Sequence, residues 1–198
     1  TGNSVRNCDI RNVDFGVHAA IDGAAVSNTS VTVADNEVPG STGFIFGASS
    51  STLALQGLSA SGFDLGIGIT GGPALVSGAT LRTYSSAVLV FQSASTLEDV
   101  AVNGELAGPG PADPLASMPS GAIALSSAQG VVIRRLTTSN VVGFGAGVAA
   151  LFDSTLTLED STVSAARSGV RLDGPAASTL QGNTITGNRL AAFAVAIC

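Results

Sequence analysis

The chain has 198 residues, contains neither Lys nor Trp, and carries a net charge of −6 at pH 7. Its scattered Arg residues lack the clustering that nucleic-acid binding requires, and the scarcity of Lys and Glu removes the residues that usually fill exposed helix faces. The composition therefore predicts a mostly β protein that binds no nucleic acid. Because the longest apolar run, residues 141–152, is shorter than the roughly 20 residues of a spanning helix, we also expect that the chain does not span a membrane.

Pairs of apolar residues five positions apart recur along the whole chain. The tripeptide Ser-Thr-Leu, which begins at residues 51, 95, 154 and 178, marks the same repeat. In the seventh repeat the pair ends at Val163 and begins at either Leu156 or Leu158. The mean period from the first to the last pair is 25 residues, which is within the range of solenoid proteins. The remaining pairs are Val5/Ile10, Val26/Val31, Leu53/Leu58, Val76/Leu81, Leu97/Val102, Val131/Leu136 and Leu180/Ile185.

A second apolar signal follows each pair and reads small, apolar, any, apolar. Such alternation with a period of two predicts a short strand with one face inside. Each repeat would therefore supply three short strands, and each coil would bury its apolar side against the next one. Most Phe residues fall at these apolar positions, so we expect Phe44, Phe46 and Phe193 in the core. The signal occurs at residues 16–19, 43–46, 66–69, 87–90, 121–124, 147–150, 169–172 and 192–195.

The repeats resemble the right-handed parallel β-helix family, the pectate-lyase-like coils of secreted and cell-surface bacterial proteins. The best local matches are Gly-Asn-Thr-Ile at residues 182–185 and Ser-Gly-Val-Arg-Leu at residues 168–172. The resemblance implies an all-β fold, a single-stranded right-handed parallel β-helix of about eight coils over residues 1–198, located outside the cell or at its surface. Right-handed crossovers are also the rule for parallel strands. A leucine-rich repeat, the alternative at this period, needs a regular Leu ladder that the chain lacks.

The two ends of the sequence and the two cysteines lead to further expectations. Both ends fall within a repeat, so we expect the chain to be a segment of a longer protein with flanking domains. Cys8 and Cys198 would lie seven coils apart, roughly 34 Å at the spacing of paired strands. Since a disulfide needs Cα atoms within about 7 Å, we predict that they do not pair within one chain.

Three coils lengthen the connection between the two apolar signals, at residues 35–42, 103–120 and 139–144. The longest of these loops contains four of the seven prolines together with Glu105 and Asp113. Insertions at one coil position leave the solenoid on one side, where repeat proteins often bind their ligands. The loops therefore indicate either a binding face or insertions that the surface merely tolerates. We favour the second interpretation.

Charged residues of three successive repeats fall near one another in register, at positions 98–99, 134–135 and 159–160. In one hypothesis they form a groove in which Arg holds a uronate carboxylate while paired acids act in acid–base catalysis or bind calcium. In the other, which we favour, they form a ladder of surface salt bridges. The candidate groove comprises Asp99, Glu105, Asp113, Arg134, Arg135, Glu159 and Asp160.

The family resemblance also says which motifs an enzyme would carry. Polygalacturonase-like enzymes show Asn-Thr-Asp, Asp-Asp, Gly-His-Gly and Arg-Ile-Lys, and pectate-lyase-like enzymes place calcium-binding acids beside a catalytic Arg or Lys. This chain has no Asp-Asp pair and no Lys, and its one His, His18, has no visible partner. We therefore predict a non-catalytic stalk, adhesin or polysaccharide-binding surface without a cofactor, calcium being the one cation that the acids could bind. The alternative is a lyase or hydrolase that cleaves an acidic glycan with Asp99, Glu105, Asp113, Arg134 and Arg135.

Small hydroxyl residues flank the second residue of several apolar pairs, as at Ser30/Thr32, Thr162/Ser164 and Thr184/Thr186. A flat ladder of Thr can bind ice, but Thr also suits exposed strands of any function. Because charged or amide residues interrupt the pattern, we do not expect an ice-binding face. The interruptions are Asp9, Arg11, Arg82, Asn103 and Arg135.

Overall fold

The computed structural model describes residues 3–20, 24–33, 40–48, 50–104, 121–141, 145–164, 166–174, 177–188 and 190–195. Every regular element within these ranges is a β-strand. In chain order the strands are β1 (Ser4–Arg6), β2 (Asp9–Arg11), β3 (Phe15–Ala19), β4 (Ala25–Ser27), β5 (Ser30–Thr32), β6 (Thr42–Ala48), β7 (Leu53–Gln56), β8 (Ser59–Gly71), β9 (Ala74–Ser77), β10 (Thr80–Phe91), β11 (Thr96–Glu98), β12 (Ala101–Gly104), β13 (Gly121–Ser126), β14 (Val131–Arg134), β15 (Thr137–Ser139), β16 (Ala146–Leu151), β17 (Leu156–Glu159), β18 (Thr162–Ser164), β19 (Ser168–Asp173), β20 (Thr179–Gln181), β21 (Thr184–Thr186) and β22 (Leu190–Val195).

The strands pair in parallel, each with its counterpart in the next coil. The first sheet has eight strands in the order β1-β4-β7-β9-β11-β14-β17-β20. The second sheet has two arms, β2-β5-β8-β10-β12-β15-β18-β21 and β3-β6-β8-β10-β13-β16-β19-β22, because the long strands β8 and β10 belong to both. One strand per coil in the first sheet gives eight coils among the described residues, or about seven turns from first to last. This confirms the prediction of an all-β parallel β-helix.

Apolar side chains of successive coils stack into columns that form one continuous core. Phe44 and Phe46 are fully buried, with ring centroids 6.1 Å apart, which confirms their predicted place; the side chain of Phe193 lies outside the described part. The inner column of the first sheet is at most 1% exposed from its second to its seventh member. Its members are Val5, Val26, Leu55, Val76, Leu97, Ile133, Leu158 and Leu180.

The structure corrects the predicted register of two apolar pairs. In the third coil the stacked pair is Leu55/Ala60 rather than Leu53/Leu58, and in the sixth it is Ile133/Thr138 rather than Val131/Leu136. In the seventh coil, where the sequence left Leu156 and Leu158 open, the stacked residue is Leu158. Both errors are shifts of two residues, which leave the same strand face inside. In β13, Ile123 and Leu125 occupy the inner columns rather than Ala122 and Ala124, because the larger side chains fill the interior.

A left-handed corner between the first and second strand of each coil explains the observed register. In each of the eight coils the corner residue comes two positions after the residue of the inner column, and its φ lies between 47° and 67°. Gly, Asn and Asp adopt this conformation readily, whereas β-branched and bulky residues adopt it rarely. The register predicted from the apolar pattern would put Leu55 and Ile133 at two of the corners, which backbone sterics disfavour. The corner residues are Asn7, Asn28, Gly57, Gly78, Asp99, Arg135, Asp160 and Gly182.

The remaining structural predictions concern the cysteines and the membrane. Cys8 is half-buried and forms no disulfide, and its thiol donates a hydrogen bond to the Arg6 carbonyl oxygen at 3.3 Å. Cys198 lies outside the described residues. Among the residues that the structure describes, no helix is long and apolar enough to cross a membrane.

Candidate functional site

Three consecutive coils bring charged side chains together on one outer edge of the solenoid. By strand register Glu98 faces Arg134, which in turn faces Glu159. The next residue of each coil occupies the left-handed corner. We call these residues the charged ladder, and with four carboxylates and two guanidinium groups its net charge is −2. The charged ladder comprises Glu98, Asp99, Arg134, Arg135, Glu159 and Asp160.

Arg134 bridges the two coils on either side of its own. Its Nε donates a hydrogen bond to Glu159 Oε2 at 2.7 Å, and its Nη1 donates one to Glu98 Oε1 at 3.1 Å. These hydrogen bonds raise the pKa of Arg134 above its ordinary value. The guanidinium therefore stays charged and is shared between two carboxylates.

Arg135 pairs with Asp99 in the fork geometry that suits a guanidinium and a carboxylate. Its Nε donates to Asp99 Oδ1 at 2.7 Å and its Nη2 donates to Asp99 Oδ2 at 2.9 Å, while Nη2 lies 3.7 Å from Glu98 Oε2. The hydrogen bonds from Arg135 lower the pKa of Asp99, and the same bonds raise the pKa of Arg135. Asp160 adds electrostatic attraction to Arg135.

These protonation states limit the chemistry that the charged ladder can perform. A general acid or base works best when its pKa lies near the operating pH. The lowered pKa of Asp99 makes it a weaker base, and the raised pKa values of Arg134 and Arg135 keep their protons bound. The arrangement therefore resembles a set of inter-coil salt bridges more than an acid–base pair.

The structure brings together five of the seven residues of the predicted groove: Asp99, Arg134, Arg135, Glu159 and Asp160. Glu105 and Asp113 lie outside the described residues, as do most of the inserted loops at 35–42, 103–120 and 139–144. Whether these loops and the charged ladder form a groove therefore stays a prediction. In the described part of the chain, no three side chains of His, Cys, Asp or Glu converge where they could hold a metal ion.

The hydroxyl residues considered for ice binding do align in the second sheet. One outer column contains Ser or Thr in six coils, with Asp9 and Ala101 in the other two. Arg11, Arg82 and Asn103 interrupt the neighbouring column. Arg135 was expected among these interruptions but lies at the left-handed corner instead. His18 lies on β3 with an exposed side chain.

Sequence reasoning missed three exposed phenylalanines. Phe15, Phe91 and Phe152 are 64%, 39% and 62% exposed. Phe91 follows the inner residue Val90 directly, so the alternation of the strand gave a signal that it points outward. No comparable signal existed for Phe152, because it lies at a corner where alternation ends.

Comparison of the chain with protein-family models, with curated proteins and with solved structures finds no match.

Proposed function

We propose that the chain is a non-catalytic module of an extracellular or cell-surface protein, in which the stacked coils form a rigid surface that binds a polysaccharide. The pairing of the charged ladder with itself carries the proposal. Arg134 and Arg135 each direct their guanidinium groups at carboxylates of the same chain, at 2.7–3.1 Å. A general acid or base must lie within hydrogen-bond reach of its substrate, whereas these guanidinium groups and carboxylates already hydrogen-bond to one another.

The charge of the surface favours a neutral glycan over an acidic one. The whole chain carries −6 and the charged ladder −2. A polyuronate would be repelled by this field, whereas a neutral polysaccharide would not. The acidic glycan of the alternative enzyme hypothesis therefore has less support than a neutral ligand.

Within the same proposal, the coils belong with right-handed parallel β-helices of the pectate-lyase-like type. The parallel register of every strand pair and the corner column rich in Gly, Asn and Asp support this placement. The right hand is the one that parallel crossovers almost always adopt.

The test measures binding and cleavage on the same preparation. Isothermal titration calorimetry is run with cellohexaose and mannohexaose as neutral probes, and with oligogalacturonate and oligoalginate as acidic ones. Cleavage is followed by the ultraviolet absorbance of unsaturated uronate products and by new reducing ends, with and without calcium. We expect binding of a neutral probe and no cleavage of any. Cleavage that is abolished in the Arg134→Ala/Arg135→Ala variant would refute the proposal in favour of the lyase or hydrolase.

A further inference from the structure

Two exposed phenylalanines, Phe91 and Phe152, occupy neighbouring columns of the solenoid, two coils apart. Phe91 ends β10 and pairs in register with Ser126, which pairs with Leu151 of the next coil. Phe152 follows Leu151 directly. At the spacing of paired strands, two coils separate the backbones of Phe91 and Phe152 by roughly 10 Å along the solenoid axis. The two exposed residues occupy neighbouring columns, so we treat them as one strip of surface.

The backbone at Phe152 has a conformation that bulky residues rarely adopt. Its φ is 51°, in the left-handed region, where a bulky residue is unfavourable. Gln92 and Ser127 occupy the same corner column in the two preceding coils, with φ of 50°. Polar residues therefore occupy this corner in the two preceding coils, whereas Phe152 combines backbone strain with an exposed apolar ring.

Polar groups that can form hydrogen bonds surround the two rings. Gln92, Ser127 and Gln129 are exposed, and the Gln129 side-chain amide donates to the Asp153 carbonyl oxygen. The Asp153 carboxylate is the single charge among residues 91–92, 126–129 and 152–153. The strip therefore combines apolar ring faces with amides and hydroxyls, and carries no positive charge.

We propose that this strip, formed by Phe91, Gln92, Ser127 and Phe152, binds a neutral β-linked polysaccharide that runs along the solenoid axis. Aromatic faces orient sugar rings by apolar contact while nearby polar groups hold the hydroxyls. The roughly 10 Å between the two backbone positions along the axis is close to the length of a disaccharide in an extended β-linked chain, so alternate sugars would each stack on a phenyl ring. The inference rests on the proposed function, because it assigns the glycan class and its place on the surface.

Titration calorimetry with the hexaose that the unaltered chain binds tests the strip. Phe91→Ala and Phe152→Ala should each weaken binding by about threefold to tenfold, and the double variant should weaken it further. Phe15→Ala is the matched control, because Phe15 is as exposed as Phe152 but lies in the first coil. It should bind as tightly as the unaltered chain.

Phe152→Gly separates loss of the ring from loss of folding. Glycine relieves the positive φ, so this variant should unfold at a higher urea concentration while binding the hexaose more weakly. If the unaltered chain binds neither neutral hexaose, the proposed function fails. If it binds one and the Phe91 and Phe152 variants bind equally well, or only one of them is weakened, the two-ring strip is refuted while the proposed function stands.

Discussion

Replacement of Gly78 by Val tests whether the left-handed corner controls the stability of the coils. Gly78 has φ of 65°, and a Cβ placed on it would meet nothing closer than the Gly57 backbone nitrogen at 3.8 Å. The substitution therefore changes backbone strain with little steric overlap. A non-glycine residue in the left-handed region costs about 1–2 kcal/mol, and β-branching makes this conformation especially rare.

The matched control is Gly78→Asn, because Asn occupies the same corner at positions 7 and 28. We expect Gly78→Val to be less stable than Gly78→Asn by about 1–2 kcal/mol, with a melting temperature lower by about 2–8 °C. Urea unfolding is followed by far-ultraviolet circular dichroism, since the chain has no Trp and one Tyr. Equal stability of the two variants would refute the idea that corner sterics select the register.

Three further predictions address the core, a buried hydroxyl and the charged ladder. Leu97→Ala, in the buried middle of the inner column, should lower the free energy of unfolding by about 2–5 kcal/mol; a loss below about 1 kcal/mol would contradict continuous packing. Thr83 Oγ1 is buried without a hydrogen-bond partner, so Thr83→Val should be neutral or stabilise by about 1 kcal/mol, and a clear destabilisation in urea would show that the hydroxyl is satisfied. Because Arg135 lowers the pKa of Asp99 from 3.8, the contribution of this pair is present above that pH and is lost as the pH falls through the lowered value. The melting temperature should therefore fall more steeply with acid in the unaltered chain than in Arg135→Gln, and parallel curves would contradict the pairing.

The fold could be predicted because the apolar pattern repeats once per coil, as at Val26, Val76 and Leu158, and each such residue needs a neighbour in the next coil. The register of individual coils could not be predicted in the same way. Val131 and Ile133 are both apolar and both inward, so the pattern fits either one. The register depends on which residue adopts the left-handed conformation two positions later. In this coil that residue is Arg135, and Arg does not usually mark a left-handed corner.

The candidate site was predictable to the extent that it depends on register alone. Glu98, Arg134 and Glu159 were expected to stack one coil apart, and their side chains do meet. Which carboxylate each guanidinium binds depends on side-chain geometry that no sequence pattern encodes. The exposed position of Phe152 was equally invisible, because corner residues do not follow strand alternation.

The corner column has a consequence for how such a protein could change in length. The Gly57 amide donates to the Ser77 carbonyl at 2.8 Å, and the Gly78 amide donates to the Glu98 carbonyl at 3.0 Å. Each bend therefore presents the same donor and acceptor to whatever circuit lies above or below it. Loss or duplication of one whole circuit, such as residues 56–76, would rejoin equivalent positions, so evolution could shorten or extend the rod in unit steps without redesigning a junction.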